Sequence, residues 1–467
     1  MKNKRISISS DERDTAKRTL TKPQALTICV LLALAIIFTL IFGTGFFLAV
    51  IGIIITTYVF VFGFKSLAVF HSRTSDDIVI TENELYDLED KELPRYSILI
   101  PLYKEARIFE SLIRNLQQLD YPTNRLQILL LIERDDDETL NAVKSISLPP
   151  HFKSVLIPLS DPRTKPKACN IGLAMATGEH CVIYDAEDRP DPDQLKKAVA
   201  SFGKLGNDVA CIQARLQFWN PDTNLLTKFF AGEYVTYFNL VLPGIAKLGF
   251  PVPLGGSSNH FRLETLRRLG GWDAFNVTED LDLGMWLARC GLRVRMMNSV
   301  TWEEATTRTS SWIKQRSRWI KGHMQTYLVH MRSPQRLLNE LGITNFFGFQ
   351  IIVGATPIVL LVNPLFWATN IAYAVGSYTW IESLFPKSIL YPAVASMVFG
   401  NFIFMYYVML GCVIGGQYRN VKFMIFAPLY WVLMSIAAWR ALFQLLLRPH
   451  HWEKTEHGLV LPEVPNR

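Results

Sequence analysis

The stretch HCVIYDAEDRPDPDQL, residues 180–195, places Asp185, Glu187, Asp188, Asp191 and Asp193 within nine positions. Val182, Ile183 and Tyr184 ahead of them read as a strand, and on an extended backbone residues i and i+2 point to the same side. Asp185 and Glu187 can therefore face one ligand together beyond the strand's end. Two carboxylates there suit Mg²⁺ or Mn²⁺, hard cations that take oxygen ligands and share them with substrate phosphates. Asp191, Pro192 and Gln194 read instead as a helix start, with an Asp cap, Pro at the first helical position and Gln three residues after the cap. Asp193 favours the positive end of that helix. Asp188 is either a group behind the ligand pair or a turn residue, and the turn is the simpler reading.

A carboxylate pair at a strand end needs a sheet to hold it. SILI (97–100) reads as a buried strand stopped by Pro101, followed by a helical pattern through residue 118. LQILLLIE (126–133) is a second strand, DETLNAVKSI a helix, KSVLIPL (153–159) a third strand, and PKACNIGLAMATG (166–178) a helix that stops at Gly178. HCVIYD is the fourth strand. Strands alternating with helices imply a mostly parallel sheet, and such sheets bind ligands beyond the carboxyl ends of their strands. Beyond it, residues 210–275 mix aromatic and Gly/Pro-rich stretches, including PVPLGGSSNHFR (251–262). TEDLDLGMWLARCG (278–291) reads as a helix capped by Thr278. SWIKQRSRWIKGHMQTYLVHM (311–331) is amphipathic and is expected to lie at a membrane surface.

Of the 467 residues, 49% are hydrophobic, and they are unevenly spread. Residues 25–42 and 46–64 form two apolar runs long enough to span a bilayer, with a charge-free turn at Gly43 and Gly45 and basic residues outside. This pattern is a helical hairpin with both ends in the cytoplasm. The expected organisation is a tail (1–24), a transmembrane hairpin (25–70), a cytosolic catalytic domain (71–310), interfacial helices (311–344), three or four transmembrane helices (345–447) and a tail (448–467). Asn363 and Pro364 mark the place where the chain is expected to reverse within 345–380, which gives six spans. Arg448, Lys454 and Arg467 then keep the tail cytoplasmic, whereas Arg419 and Lys422 favour the opposite parity. The first apolar run, preceded by over twenty polar residues and with no evident small-residue cleavage site, reads as a retained anchor and not a signal peptide, and no fused regulatory domain is expected after the last apolar segment.

The net charge is +7 and the pI about 9.0. No groove pattern of basic and aromatic residues accompanies that charge, so nucleic acid is not an expected partner; the bias suits the cytoplasmic flanks of membrane helices. The six cysteines form no CxxC pair, which argues against a zinc site or a disulfide framework.

KPKACNIGL, the acidic DAED, TED (278–280) and QRSRW (315–319) follow one another in order. On these motifs the chain resembles, over roughly residues 95–335, membrane-embedded family 2 glycosyltransferases such as bacterial cellulose synthase, hyaluronan synthase and the mannan and glucomannan synthases. The resemblance implies an α/β GT-A fold, Rossmann-like with a mostly parallel sheet, inserted between transmembrane helices. It implies that PLYKE, with Pro101, Tyr103 and Glu105, is a nucleotide-contacting loop. The family's second strand ends in an Asp pair that holds the nucleoside. Here LIERDDDET departs from that, with Glu133 nearest the expected place, and at least two of Asp135, Asp136 and Asp137 read as a solvated helix start. Lys167 falls at the family's phosphate lysine and Asn170 at a loop-supporting asparagine, while Lys165 reads as a surface lysine. Asp185 and Glu187 occupy the metal-binding DxD positions, with Glu replacing the second Asp.

The resemblance further assigns Asp280 as general base, Gln315 and Arg318 to the donor diphosphate, and Trp319 as a platform for the acceptor sugar. Glu279, Gly256 and Ser257 fall among acceptor-side positions, and His260 beside them reads as structural. The implied activity is processive and inverting. A hexose from UDP-glucose or GDP-mannose would be added to a growing β-linked polysaccharide and passed through the bilayer, with periplasmic or export partners. The expected location is the inner (plasma) membrane, multi-pass, with the catalytic domain in the cytoplasm. A non-processive transferase acting on a lipid-linked sugar is the second reading. A transporter or channel is the third, opposed by the ordered carboxylate motifs.

Overall fold

The computed structural model describes residues 13–72, 78–376 and 386–453. Lys2, Lys454, Glu456 and Arg467 lie outside them. Two long helices open the chain, α1 (Lys22–Phe42) and α2 (Thr44–Ser72). They reverse at Gly43, whose φ of +53° is open to a residue without a Cβ. The C-terminal part of α2 docks on the catalytic domain, where Gly244 leaves no room for a side chain beside the Ala68 backbone.

The domain is built on an eight-stranded mixed sheet. Its strands are β1 (Tyr96–Leu102), β2 (Leu126–Glu133), β3 (Phe152–Ile157), β4 (His180–Ile183), β5 (Arg189–Pro190), β6 (Val209–Phe218), β7 (Asn259–Arg262) and β8 (Arg293–Glu303), in the order β3-β2-β1-β4-β7-β6-β8-β5. β3, β2, β1 and β4 are parallel, β7 runs against both its neighbours, and β6 and β8 are again parallel. The first strands are apolar throughout because both faces are covered. Leu99, Leu129 and Leu131 pack to one side, while Ile98, Ile100, Ile128 and Leu130 pack to the other. Pro101 does not stop β1. β4 pairs with β1 only as far as Leu99, so proline's missing N–H falls where the strand has lost that neighbour.

The helices that matter for the site are α3 (Asp137–Lys144), α4 (Lys165–Met175), α5 (Glu279–Arg289) and α6 (Thr309–His330). The helix expected to start at Asp191 begins instead at Gln194. Asp191 is diverted to β8, accepting from the Val300 N–H at 2.7 Å, and the Gln194 side chain is buried against Tyr184, Ser299 and Thr301.

After α6 the apolar region differs from expectation. Asn363 and Pro364 lie inside one helix, α7 (Thr356–Gly376), so the reversal expected there does not occur. A second helix, α8 (Lys387–Ile414), returns to the domain, where Gly411 leaves no space against Thr236. The last helix, α9 (Ala427–Leu447), lies along α6: Trp312 and Tyr430 are 4.9 Å apart, and Ile320 and Met324 pack on Ala437, Ala438 and Ala441. The outer face of α9 exposes Leu429, Ile436, Phe443 and Leu447. The outward apolar face expected of residues 311–331 thus belongs to α9, while α6 is sandwiched, with Trp312 and Lys321 fully buried. By length and composition, four described helices are long and apolar enough to cross a membrane: Lys22–Phe42, Thr44–Ser72, Pro334–Thr369 and Tyr418–Leu447.

Candidate active site

A cavity of about 970 Å³ opens beyond the carboxyl ends of β1, β2 and β4. Pro101, Tyr103, Glu105, Glu133, Asp185, Glu187, Gly256, Glu279, Asp280, Gln315, Arg318 and Trp319, all proposed from sequence, line it together. The chain reaches this arrangement from six separate segments.

The PLYKE loop turns through Lys104, whose φ of +56° is the left-handed region. The loop is held by α3: Asp136, the N-cap that accepts from Thr139 N–H at 3.2 Å, also accepts from the Lys104 N–H, and Thr139 Oγ1 accepts from the Glu105 N–H at 3.0 Å. Of the three aspartates, Asp136 is therefore buried structure, while Asp135 and Asp137 are exposed. Asp135 pairs with Arg163 at 2.6 Å.

Two lysines exchange their expected places. Lys167 does not line the cavity; its Nζ donates to Glu133 at 3.3 Å and to the carbonyls of Pro158 and Ser160. Lys165, expected at the surface, points into the cavity, pairs with Asp185 and donates to the Gly256 carbonyl at 2.7 Å. Burial works against its charge, but Asp185 and Glu279 hold the ammonium protonated. Asn170 braces the neighbouring loop through Trp272, donating to its carbonyl at 2.8 Å and accepting from its N–H at 2.9 Å.

The acidic loop is closed by Asp188, which accepts from the Asp185 N–H at 2.7 Å and from Ser257 Oγ. Ser257 is therefore a support for this loop and does not line the cavity, a correction to its acceptor-side assignment. Glu303, at the end of β8, joins the cluster; nothing local in the sequence pointed to it. It arrives because β5 pairs with β8, Arg189 opposite Trp302. Burial first, then neighbouring negative charge, pushes Asp188 (beside Asp185 and Glu187) and Glu303 (beside Asp188, Glu187 and Asp185) well above the usual carboxylate range. One oxygen of Asp188, Oδ1, is buried with no hydrogen-bond partner among the described residues. A crowd of hard oxygens under its own repulsion fits a divalent cation. Among the described residues no three His, Cys, Asp or Glu side chains converge as a closed ligand set, so a cation here would need ligands from the substrate as well.

Asp280 stands in the first turn of α5. Its Oδ1 accepts from the Leu281 N–H at 2.8 Å, and Oδ2 faces Gly256, where an added Cβ would lie 3.4 Å away. Burial raises its pKa, against the Leu281 N–H and the charges of Lys165 and Arg318. Glu279 beside it is pushed up to about 7 by burial and by Asp280. Thr278 makes no side-chain cap; it is the surface on which Gly322 of α6 rests.

Behind Asp280, the helix is anchored by Asp282. Its Oδ2 accepts from Arg13 at 2.6 Å, and its Oδ1 accepts from His330 Nε2 at 2.9 Å. Arg289 donates to the other ring nitrogen of His330 at 3.2 Å, which fixes a neutral imidazole with its proton on Nε2. Burial lowers the His330 pKa in keeping with this, and the Asp282 carboxyl, opposed by burial but held by Arg13 and His330, falls to about 2.

Arg318 lies 4.5 Å from the Trp452 ring, and the buried Gln315 Oε1 has no hydrogen-bond partner among the described residues. Trp319 lies against Tyr234 and Phe230, its ring 4.6 Å from the Arg316 guanidinium. His260 is structural, as expected, bonded to Tyr96 at 2.6 Å and to Gln194 at 3.2 Å. Residues 450–452, which the polar run HHWEKTEH placed only near the catalytic face, line the cavity itself because Lys321 donates to the His451 carbonyl at 2.8 Å and Gln325 to that of Pro449 at 2.9 Å. Two polar residues on a buried helix face were the available signal.

Residues 94–322 match the family described as Glycosyltransferase like family 2. The chain is 26% identical over 263 residues to the "Probable glycosyltransferase YdaM" of Bacillus subtilis, covering 56% of this chain and 62% of that one. It is 27% identical over 242 residues to the beta-monoglucosyldiacylglycerol synthase of Trichormus variabilis, covering 50% of each. The chain thus spans only about half to three fifths of the length of these relatives. Among solved structures it is similar to the mannosyltransferase PcManGT from Pyrobaculum calidifontis, in complex with GDP-Man and Mn²⁺, with a TM-score of 0.53 and 20% identity over 85% of this chain and 99% of that one. Residues 94–322 thus match family 2 glycosyltransferases, and the strand order and the likeness to PcManGT give this domain a GT-A fold.

Proposed function

We propose that this chain is an inverting hexosyltransferase that moves one hexose from a nucleotide sugar, UDP-glucose or GDP-mannose, to a hydroxyl group of a membrane lipid. The observation that carries the reading is the wall of the cavity. Away from the carboxylates it is lined by Val61 and Phe64 of α2, by Ile351, Ile352, Val359 and Leu360 at the start of the C-terminal apolar helices, and by Met434 of α9. Such a wall suits an acyl chain next to the reacting hydroxyl. The Trichormus relative, named as a glucosyldiacylglycerol synthase, is consistent with this.

In this reading the PLYKE loop and Glu133 hold the nucleoside, and Arg318 and Lys165 face the diphosphate. Asp185 and Glu187 would hold Mg²⁺ or Mn²⁺ together with phosphate oxygens, and the ion would supply positive charge to the leaving diphosphate. Asp280 takes the proton of the acceptor hydroxyl. The acceptor oxygen bonds to the anomeric carbon as the bond from that carbon to the diphosphate oxygen breaks, inverting the centre and releasing the nucleoside diphosphate. The membrane topology proposed is four crossings, by α1, α2, α7 and α8; α9, though long and apolar enough to span, is placed in the membrane plane because one of its faces packs on Ile320 and Met324 of α6. That count keeps both ends of the described chain on the side of the catalytic domain, the cytoplasmic face of the plasma membrane.

A second reading, the processive polysaccharide synthase, is favoured by one feature, the Gln315, Arg318 and Trp319 group in the cavity. Membranes supplied with a panel of labelled nucleotide sugars and extracted with organic solvent separate the two. Lipid transfer puts label in the organic phase, and polymer synthesis leaves it in the insoluble residue. A transporter or channel labels neither.

A further inference from the structure

The cations of the cavity are not equally engaged. Lys65, Arg163, Lys165, Arg316 and Arg318 all line it. Arg163 is paired with Asp135, Lys165 with Asp185, and Arg316 with both oxygens of Glu233, at 2.9 and 2.7 Å. Arg318 lies beside Glu279 and Asp280, at the end of the cavity suited to a diphosphate. Lys65 stands apart. Its ammonium is 5.2 Å from the Phe404 ring and makes no hydrogen bond or ion pair among the described residues. The acidic residue near it, Glu233, is already engaged by Arg316 and by Tyr430, which donates to it at 2.6 Å.

Lys65 belongs to α2, between Val61 and Ala68, on a helix otherwise apolar for several turns. Lys65 directly follows the apolar run 46–64, and an ammonium beside the apolar wall of the cavity is costly without a partner. We propose that the partner is the acceptor: Lys65 takes the phosphate of a phosphate-bearing lipid, and so places the lipid's free hydroxyl toward Asp280 while its acyl chains lie along the apolar wall. This inference rests on the lipid-acceptor reading and narrows it from any lipid hydroxyl to one beside a phosphate anion. Charge complementarity supports it. The donor end of the cavity carries Asp185 and Glu187, which would repel a lipid phosphate, while Lys65 at the apolar end makes no ion pair among the described residues.

The test uses the full chain in phosphatidylcholine vesicles containing either phosphatidylglycerol, a phosphodiester with free hydroxyls, or neutral diacylglycerol, with oleate added to equalise surface charge. Labelled hexose transferred to each lipid is measured as a ratio within one preparation, so loss of folded protein cancels. The wild type should favour phosphatidylglycerol; Lys65→Gln should lower that ratio about tenfold, the effect of roughly 1.4 kcal/mol of lost binding, and Lys65→Arg should keep it. An unchanged ratio in Lys65→Gln, or no preference in the wild type, overturns the inference and leaves the lipid-acceptor reading standing. Labelled polymer with neither lipid labelled overturns that reading itself. If Lys65→Gln yields no active protein, the wild type decides alone. Phosphatidylmethanol, a phosphodiester without a free hydroxyl, should inhibit transfer to diacylglycerol competitively beyond the oleate control, and no inhibition overturns the inference.

Discussion

Gly322 is pressed against Thr278: a Cβ at 322 would collide with the Oγ1, Cγ2 and Cβ of the threonine. One turn before Gly322 on α6 come Arg318 and Trp319; two residues after Thr278 comes Asp280. The close approach of the two helices therefore sets the guanidinium beside the carboxylate whose ionisation it favours.

Gly322→Ala should separate them. Overpacking a site of this kind costs about 1–3 kcal/mol, and transfer should fall more than the melting temperature suggests, because Arg318 moves with the helix. Thr278→Ala removes two of the colliding atoms, so the double variant should recover much of both. Melting and transfer measured on the three variants check this. A double variant no better than Gly322→Ala would mean that the contact does not position the site.

Asp280→Asn keeps the shape and the Leu281 hydrogen bond but removes the proton acceptor. Donor binding should persist, and transfer should fall by at least ~10²-fold. The reactive form is the carboxylate, and its folded pKa is raised. Activity should therefore fall with decreasing pH at a higher pH than an ordinary carboxylate near 4 would dictate. Lys165 and Arg318 favour the charged form, so Lys165→Gln should move the acid limb of kcat/KM further up. An acid limb that stays in place, or one that moves down, would remove Lys165 from the field of the base.

Glu187→Ala should raise the Mg²⁺ or Mn²⁺ concentration needed for half-maximal transfer, and Glu187→Asp should retain most activity, because only the length of the carboxylate arm changes. Titration of each variant with metal after chelation reads this directly. Equal losses in the two variants would make Glu187 a packing residue.

Asp282, held at about 2 in the fold against an ordinary 3.8, contributes stability that is present above about pH 4 and is lost as pH falls through about 2. Asp282→Asn should melt lower at neutral pH and lose less than the wild type on acidification. Parallel melting curves for wild type and variant across that range would remove the Arg13 and His330 pairs from the stability of α5.

Much of the site was legible because it is local. Asp185 and Glu187 follow a strand, which puts them at the carboxyl edge of a parallel sheet, and the ordered family motifs then pointed to Asp280 at a helix start. Glu303 was not legible, since its place depends on β8 pairing with β5, far away in sequence. Lys165 and Lys167 lie two residues apart on one helix start, and only the packing of α4 decides which one enters the cavity and which one braces Glu133. Ser257 lay in the right loop but turns toward Asp188, whose buried oxygen needs a donor more than the cavity does. The membrane region was legible in composition and not in arrangement: α9 is as apolar as a spanning helix, but one face is spent on Ile320 and Met324 of α6.

The most direct test of the central claim is the mass of the product. Purified protein in vesicles, given the nucleotide sugar it accepts, should yield lipid increased by one hexose, with a β linkage from a donor whose anomeric carbon is α. A ladder of hexoses on a water-soluble or insoluble chain, with no singly glycosylated lipid, would contradict the lipid-acceptor account.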